Sequence, residues 1–454
     1  MTTASVRLPS FARLPPPARG FVFAAILAVV VIAAAALRVE AAGDRPGHAS
    51  ADERAYVRLA SDLRATGNYG GPSMAHPLHW APGAPALFAV ADALSGHAVA
   101  GRIDTRAARQ AQAVIGALTV GAAFALAALI AGAWAGVAAA VAVAFYPPMI
   151  DATTQLTSEP LGALAVTAAL AAVAWAWSRG RAAGFAVAGA AIGLACLVRA
   201  DVLLAALVLA PAVGVLHGRR ARWRAGAIAG GATLLGVLAI VGPWTAFASR
   251  RDRHFVPITD GGPTTLFVGT YLPGHGTIFG LKHALAREAI RVHPSIRHKA
   301  IFRLREKVFL DAVAARHPRL SRDAAISAEL HRNLRVYLLG QPVAFAGMLA
   351  TKTWRMWAFP FRGTFRRASA ATLWLHRVLV ALALVGLLAG LIRRRSAILG
   401  LALLTLGVTA ALDIAFVAEA RHAFRLMPAL LGAGAAGWAL LASRAPAAQP
   451  APDD

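Results

Sequence analysis

Between Gln110 and Ser178 the only acidic or basic residues are Asp151 and Glu159. A helix that crosses a bilayer needs about 20 consecutive apolar residues. In lipid every backbone amide must be satisfied within the segment, so such a stretch is helical. This one holds three spans. Over the whole chain charged residues make up 15%, against about 25% in a soluble domain, too few to cover a water-soluble globule. The single cysteine, Cys196, lies in an apolar run. It excludes an intramolecular disulfide or a cysteine-based metal cluster and reads as a small core residue.

The net charge is +25. In a soluble protein that balance would suggest nucleic acid. Here the arginines sit between apolar runs, where they orient the chain in the membrane, and no nucleic-acid partner is expected. The basic start (Arg7, Arg13, Arg19) and Gly20–Leu37 read as a retained first span with a cytoplasmic N-terminus. The further spans are Ala107–Ala131, Trp134–Ile150, Glu159–Ser178, Ala182–Val198, Val202–Leu216, Ala225–Ala248, Leu373–Ile392, Ala397–Val417 and Leu426–Leu441. The turns Arg179–Arg181 and Arg219–Arg224 then fall inside, as does Arg393–Arg395, and Asp52, Glu159 and Arg199 fall outside. The fold class is an all-α polytopic membrane protein with about ten transmembrane helices, nine to twelve at the limits. Its units are a transmembrane module 1–248 with a first outer loop 38–106, an outer segment 249–371, C-terminal transmembrane helices 372–444 and a disordered cytoplasmic tail 445–454. Pro82–His97 is apolar but short, and Val343–Met356 is either one more span or an interfacial helix; both read as helices at the outer surface, because a further span at either would put later arginine turns on the wrong side. The expected location is the plasma (inner) membrane, with both termini cytoplasmic.

The chemistry concentrates outside. Tyr56, Leu59, Ala60 and Leu63 recur at helical spacing, giving a short amphipathic helix on the membrane surface. Ser50 and Glu53 fit a capping box, and acids suit a helix's first turn. Asp52, less needed for capping, is the better general base. Glu159 opens a span. Arg199 either pairs with Asp201 or holds a phosphate in a bidentate contact. Glu419, Arg421, His422 and Arg425 open the last span on the same face, as interfacial anchors or an anion site. His76 and His79 lack a third ligand, so no metal site is expected.

Several segments, in order, resemble the GT-C superfamily of membrane glycosyltransferases, most of all the family 39-like group of protein mannosyltransferases and aminoarabinose transferases. These are Asp52-Glu53-Arg54-Ala55-Tyr56 with Leu59-Ala60, the stretch Ala81–Leu87, Ser158-Glu159, Val198-Arg199, Pro243-Trp244, Val256–Gly262, and Arg421-His422 leading to Pro428. The sequence departs from the family at Phe247-Ala248 (usually Arg-Asn, with Arg250 or Arg251 as the substitutes), at Asp260 in an Asn-Gly-Gly motif, and at His422 in place of Tyr. The resemblance implies a seven-span GT-C-like module with an outer loop helix and a further outer domain. It also implies an inverting hexosyl- or pentosyltransferase that moves a sugar from a polyprenyl-phosphate donor to a glycan, lipid or protein acceptor of the cell envelope. On that reading Asp52 and Glu53 are catalytic, and Tyr56, Glu159, Arg199, Arg250, Arg251, Arg421 and His422 bind substrate. No cofactor is called for, and a divalent cation is compatible with the acids. The alternative is a membrane transporter or lipid flippase, which calls for inverted repeats and charges at mid-membrane.

Overall fold

A computed structural model describes residues 16–43, 49–71, 74, 76–96, 101–361 and 368–443. The expected tail 445–454, Arg7 and Arg13 lie outside the described residues. Those described are all-helical, with no strand among them. In chain order the helices are α1 Pro16–Gly43, α2 Ala51–Thr66, α3 Gly83–Ser95, α4 Thr105–Ala131, α5 Ala133–Ala144, α6 Pro147–Asp151, α7 Glu159–Arg179, α8 Ala182–Val198, α9 Val202–Arg220 and α10 Trp223–Asp252. There follow α11 Gly262–Thr270, α12 Ile278–Ala284, α13 Ala286–Val292, α14 Glu306–Ala314, α15 Arg322–Asn333, α16 Pro342–Ala358, α17 Ala370–Arg394, α18 Ala397–Ala415, α19 Ala420–Phe424 and α20 Met427–Ala442.

Seven of these, α1, α4, α7, α9, α10, α17 and α18, are long and apolar enough to cross a bilayer. The pair α5 and α6, bent by 60°, passes the same test when taken together, with the bend of a broken span or a re-entrant loop. The apolar α8 and α20 are shorter, at 17 and 16 residues. α8 packs between α7 and α10, and α20 packs on α17 and α4. All of these lie where the sequence places its expected spans, but only seven, or eight with the bent pair, are long and apolar enough to cross. The chain is a multi-pass membrane protein. α3 is a 13-residue helix that packs on α2 and α4. α16 packs against α17, α18 and α19; its Val343 is 85% exposed, whereas the Lys352 ammonium is buried and donates to the carbonyls of Gly269 and Phe416 at 2.9 and 2.8 Å. Helices α11 to α15 pack around a second apolar core that includes Phe267, Leu281, Phe309, Val313 and Ile326.

The structure revises two expectations, and one cause explains both. The third span is not continuous: it breaks at Pro147-Pro148, whose missing amide hydrogens cannot continue the ladder of α5. Arg38, expected as the first residue of the outer loop, lies instead within α1 and is fully buried. Its guanidinium donates to the carbonyls of Ala144 and Val143, at 3.0 and 3.1 Å, which end α5. Carbonyls orphaned at that break thus receive a cationic donor from a neighbouring helix. Gly116 on α4 makes room for it, since a Cβ there would lie 2.6 Å from the Arg38 Cδ. With Arg38 pinned, Gly116→Ala is expected to cost about 1–3 kcal/mol, read as a drop in the melting temperature of the detergent-purified protein. Gly121→Ala, which meets nothing within 4 Å, should leave it unchanged.

Candidate functional site

The first outer helix starts as the capping rule requires. Ser50 Oγ accepts from the Glu53 amide at 3.1 Å, and Glu53 Oε2 accepts from the Ser50 amide at 2.7 Å. The other Glu53 oxygen accepts from the Leu156 amide at 3.1 Å, tying α2 to the segment before α7. Glu53 is buried and both its oxygens are engaged. Asp52, one residue earlier on the turn, keeps a side chain 36% exposed.

Asp52 meets the far end of the chain: its Oδ2 lies 2.5 Å from Nη1 of Arg421 on α19. Arg421 Nε in turn lies 2.9 Å from Glu419. Burial raises the Asp52 carboxyl, but the charge and hydrogen bond of Arg421, a hydrogen bond from the Trp80 side chain and the charge of His79 together hold it below the ordinary value of 3.8. Burial also works against the Arg421 charge, and the carboxylates of Glu419, Asp52 and Glu159 outweigh it, so the guanidinium stays firmly protonated.

Behind this pair runs a second set of contacts. Tyr56 donates to Ser158 Oγ at 3.0 Å, and Arg199 donates to the same oxygen at 3.3 Å. Arg199 lies 3.6 Å from Glu159 and 2.9 Å from Asp201. Asp201 passes the network on to Arg425 at 2.7 Å, and Arg425 grips both oxygens of Asp413, at 2.8 and 2.7 Å. The Arg425 side chain is fully buried. Gly162, one turn into α7, lets both arginines pass, since a Cβ there would lie 3.2 Å from Arg199 Cγ and 3.7 Å from Arg425 Cβ. His422 Nδ1 is 3.9 Å from Asp413. Burial first, then Arg421, Arg199 and Arg425, hold the His422 imidazole well below its usual range, so it is neutral at physiological pH.

The structure therefore brings together Asp52, Glu53, Tyr56, Glu159, Arg199, Arg421 and His422. It does not bring Arg250 and Arg251 to them. Both are exposed on the last turn of α10, and Arg251 donates to the Gly70 carbonyl in the loop after α2. Among the described residues neither contacts Asp52, Glu159, Arg199 or Arg421. The Val256–Gly262 stretch docks beside His79 and Trp80: the Asp260 amide donates to the Leu78 carbonyl at 3.1 Å, and Trp244 Nε1 donates to the Ile258 carbonyl at 2.9 Å. No group of three or more His, Cys, Asp or Glu side chains among the described residues is arranged to hold a metal ion.

Residues 84–247 match the family model described as dolichyl-phosphate-mannose-protein mannosyltransferase. No curated protein sequence matches the chain significantly. The oligosaccharyltransferase AglB of Archaeoglobus fulgidus, solved with an inhibitory peptide and a dolichol-phosphate, superposes with a TM-score of 0.57 at 16% identity, over 92% of this chain and 50% of that one. The apo oligosaccharyltransferase of the same organism gives 0.53 at 16% identity, over 91% and 50%. The chain has the GT-C fold. It spans about half the length of the solved GT-C structures it matches. The family model covers Glu159, Arg199 and Asp201, while Asp52 and Arg421 lie to either side of it. The GT-C fold thus brings a first-loop acid and a C-terminal arginine, 369 positions apart, into one ion pair.

One residue in the network has no place in the sequence-based expectation, Asp413; Asp201 enters there as the pairing partner of Arg199, and Arg425 as an anchor or anion-site residue before the last span. Asp413 did carry a signal, as the only charged residue between Arg395 and Glu419. A lone acid inside a span is costly and marks function or a buried partner.

Proposed function

We propose that this protein transfers a sugar from a polyprenyl-phosphate donor to an acceptor on the outer face of the cytoplasmic membrane, with inversion. The contact between Asp52 and Arg421 carries the reading, because it sets a carboxylate base beside a cation at the mouth of a membrane bundle. The phosphate-linked lipid in the AglB structure and the mannosyltransferase family model support the donor class. The acceptor is a glycan, lipid or protein of the envelope.

The charges around the site suggest how it works. Three arginines (Arg199, Arg421, Arg425) sit among five carboxylates (Asp52, Glu159, Asp201, Asp413, Glu419). No arginine stands waiting for an anion, so a donor phosphate binds by exchange. Arg421 is the most accessible of the three, with 29% of its side chain exposed against 17% for Arg199 and none for Arg425. A phosphate on Arg421 displaces Asp52 from the guanidinium and leaves that carboxylate free to act as base. The acceptor oxygen then attacks the anomeric carbon, its proton passes to Asp52, and the bond from that carbon to the phosphate oxygen breaks. The electron pair leaves on the polyprenyl phosphate, whose charge Arg421 stabilises, with Arg199 behind it. Glu53 holds the turn that carries Asp52, Tyr56 and Glu159 line the sugar side, and His422 offers a neutral hydrogen-bonding group. Arg250 and Arg251 are left outside this donor site. The transporter alternative is less well supported, since the site's charges gather at one mouth of the bundle.

Membranes containing the protein should transfer sugar from a polyprenyl-phosphate donor and not from a nucleotide sugar; the reverse preference would overturn the proposal. The sidedness is tested separately. The chain's one cysteine, Cys196, is buried, so new cysteines report alone. In intact spheroplasts an impermeant maleimide should label Ala65→Cys on α2 and spare Arg222→Cys in the turn between α9 and α10. The opposite pattern would invert the topology.

A further inference from the structure

The opposite membrane face holds a second feature, unrelated to the acid and arginine network. α9 starts at Val202, beside Asp201 in that network, and Arg219 lies about 26 Å further along its axis at 1.5 Å per residue. At that far end α9 and α10 frame a groove of about 750 Å³ lined by Leu207, Gly214, Arg219, Trp223, Gly231 and Leu234, among others. Its volume falls in the range of about 300–1,000 Å³ typical of small-ligand sites. The helices cross closely below it: a Cβ on Gly226 would lie 2.3 Å from the Gly214 carbonyl oxygen, whereas one on Gly231 would meet nothing within 4 Å. The floor is therefore backbone, and the Gly231 side is open.

Two observations define what this groove fits. Its walls are apolar and face outward, with Leu207 47% exposed and Trp223 75% exposed. Its mouth is cationic. Arg219 lines it directly, and the Arg224 guanidinium lies 5.7 Å from the centre of the Trp223 ring. The turns on this face carry Arg179, Arg181, Arg219, Arg220, Arg222, Arg224, Arg393, Arg394 and Arg395, with no acidic residue between Ser178 and Ala182, between His217 and Arg224, or between Ile392 and Ser396. An apolar slot ending in an arginine and a tryptophan, beside turns that carry no carboxylate, is complementary to a lipid with an acyl chain and a negative headgroup.

We propose that the α9–α10 groove is a binding site for an anionic phospholipid of the leaflet opposite the Asp52 site, with an acyl chain along Gly231 and Leu207 and the headgroup phosphate on Arg219. The site does not depend on the transferase reading.

The test uses the full-length protein, delipidated in detergent and titrated with phosphatidylglycerol or with phosphatidylcholine of the same chains, with bound lipid counted by native mass spectrometry. The wild type should retain phosphatidylglycerol over phosphatidylcholine. Arg219→Gln should reduce phosphatidylglycerol retention about fivefold, the effect of about one basic residue near an anionic headgroup, and leave phosphatidylcholine unchanged. Gly231→Leu, which fills the open side, should reduce both lipids, and Trp223→Leu gives a second arm should that variant lose its helical circular dichroism. Arg393→Gln, on the same face but outside the groove, should change neither. Equal retention of the two lipids by the wild type would overturn the proposal, as would a loss in Arg393→Gln equal to that in Arg219→Gln. Tighter retention of a polyprenyl phosphate than of phosphatidylglycerol would overturn the assigned occupant.

Discussion

Asp52→Asn is expected to lower sugar transfer by about 10²- to 10⁴-fold, the usual contribution of a positioned general base, while the protein still purifies as a folded species. The two acids at the start of α2 divide structure from chemistry. Glu53 spends one oxygen on the Ser50 amide and the other on the Leu156 amide, so Glu53→Gln should lower the melting temperature as well as activity. Asp52 contributes nothing to the cap, and its partner is a side chain that a phosphate can take away. The asparagine keeps the shape and a hydrogen bond but cannot accept the acceptor's proton. The pH profile adds a further check. Burial raises the Asp52 carboxyl, but Arg421, Trp80 and His79 hold it below 3.8 in the free enzyme, so the base is ionised throughout the neutral range and the acid limb of kcat/KM, which reports the free enzyme, lies below that value. In Arg421→Gln the main lowering partner is gone, and the acid limb of the residual activity should move to higher pH. For stability the sign is the same. A lowered carboxyl stabilises the fold above its unfolded value, and that contribution is lost as pH falls through the folded one.

Arg425→Ala should be the most destabilising single substitution in the site, by about 3–5 kcal/mol, the cost of removing one partner of a buried ion pair. The side chain is fully buried and bridges Asp201 and Asp413. Without it Asp413, 3% exposed, keeps its burial and loses its cation. Pairing the change with Asp413→Leu should recover much of the loss, because replacing both partners by apolar groups avoids the uncompensated charge. Thermal unfolding of the single and double variants in the same detergent measures this directly. An additive double variant would mean that Asp413 is not the partner that matters.

Most of the helices were legible because lipid imposes a simple rule on sequence, and a run such as Ala182–Val198 has no other stable form in a bilayer. The arginine turns put Asp52, Glu159, Arg199 and Arg421 on one common side, and in the structure these residues do come together. Sequence could not show which groups touch. Arg421 and Asp52 are 369 positions apart, and no local spacing encodes that contact. Arg250 and Arg251 are suggested by their place after Pro243-Trp244, but α10 runs on past them to Asp252, both stay exposed, and Arg251 donates to the Gly70 carbonyl. Arg38 looked like a loop residue because a charge usually ends a span; here it is kept in the helix by carbonyls freed at Pro147-Pro148, a tertiary contact with no signature near Arg38 itself. Asp413 is marked in the sequence only as the single charge in an apolar run, and its partner Arg425 lies beyond the end of that run.

The most direct test of the account is to follow both halves of a labelled polyprenyl-phosphate sugar in proteoliposomes that contain the purified protein and an envelope acceptor extract. The account predicts that the sugar moves to the acceptor with inverted anomeric configuration, that polyprenyl phosphate is released in equal amount, and that Asp52→Asn does neither. A lipid that crosses the bilayer with its sugar still attached, or sugar transfer that survives in Asp52→Asn, would contradict it.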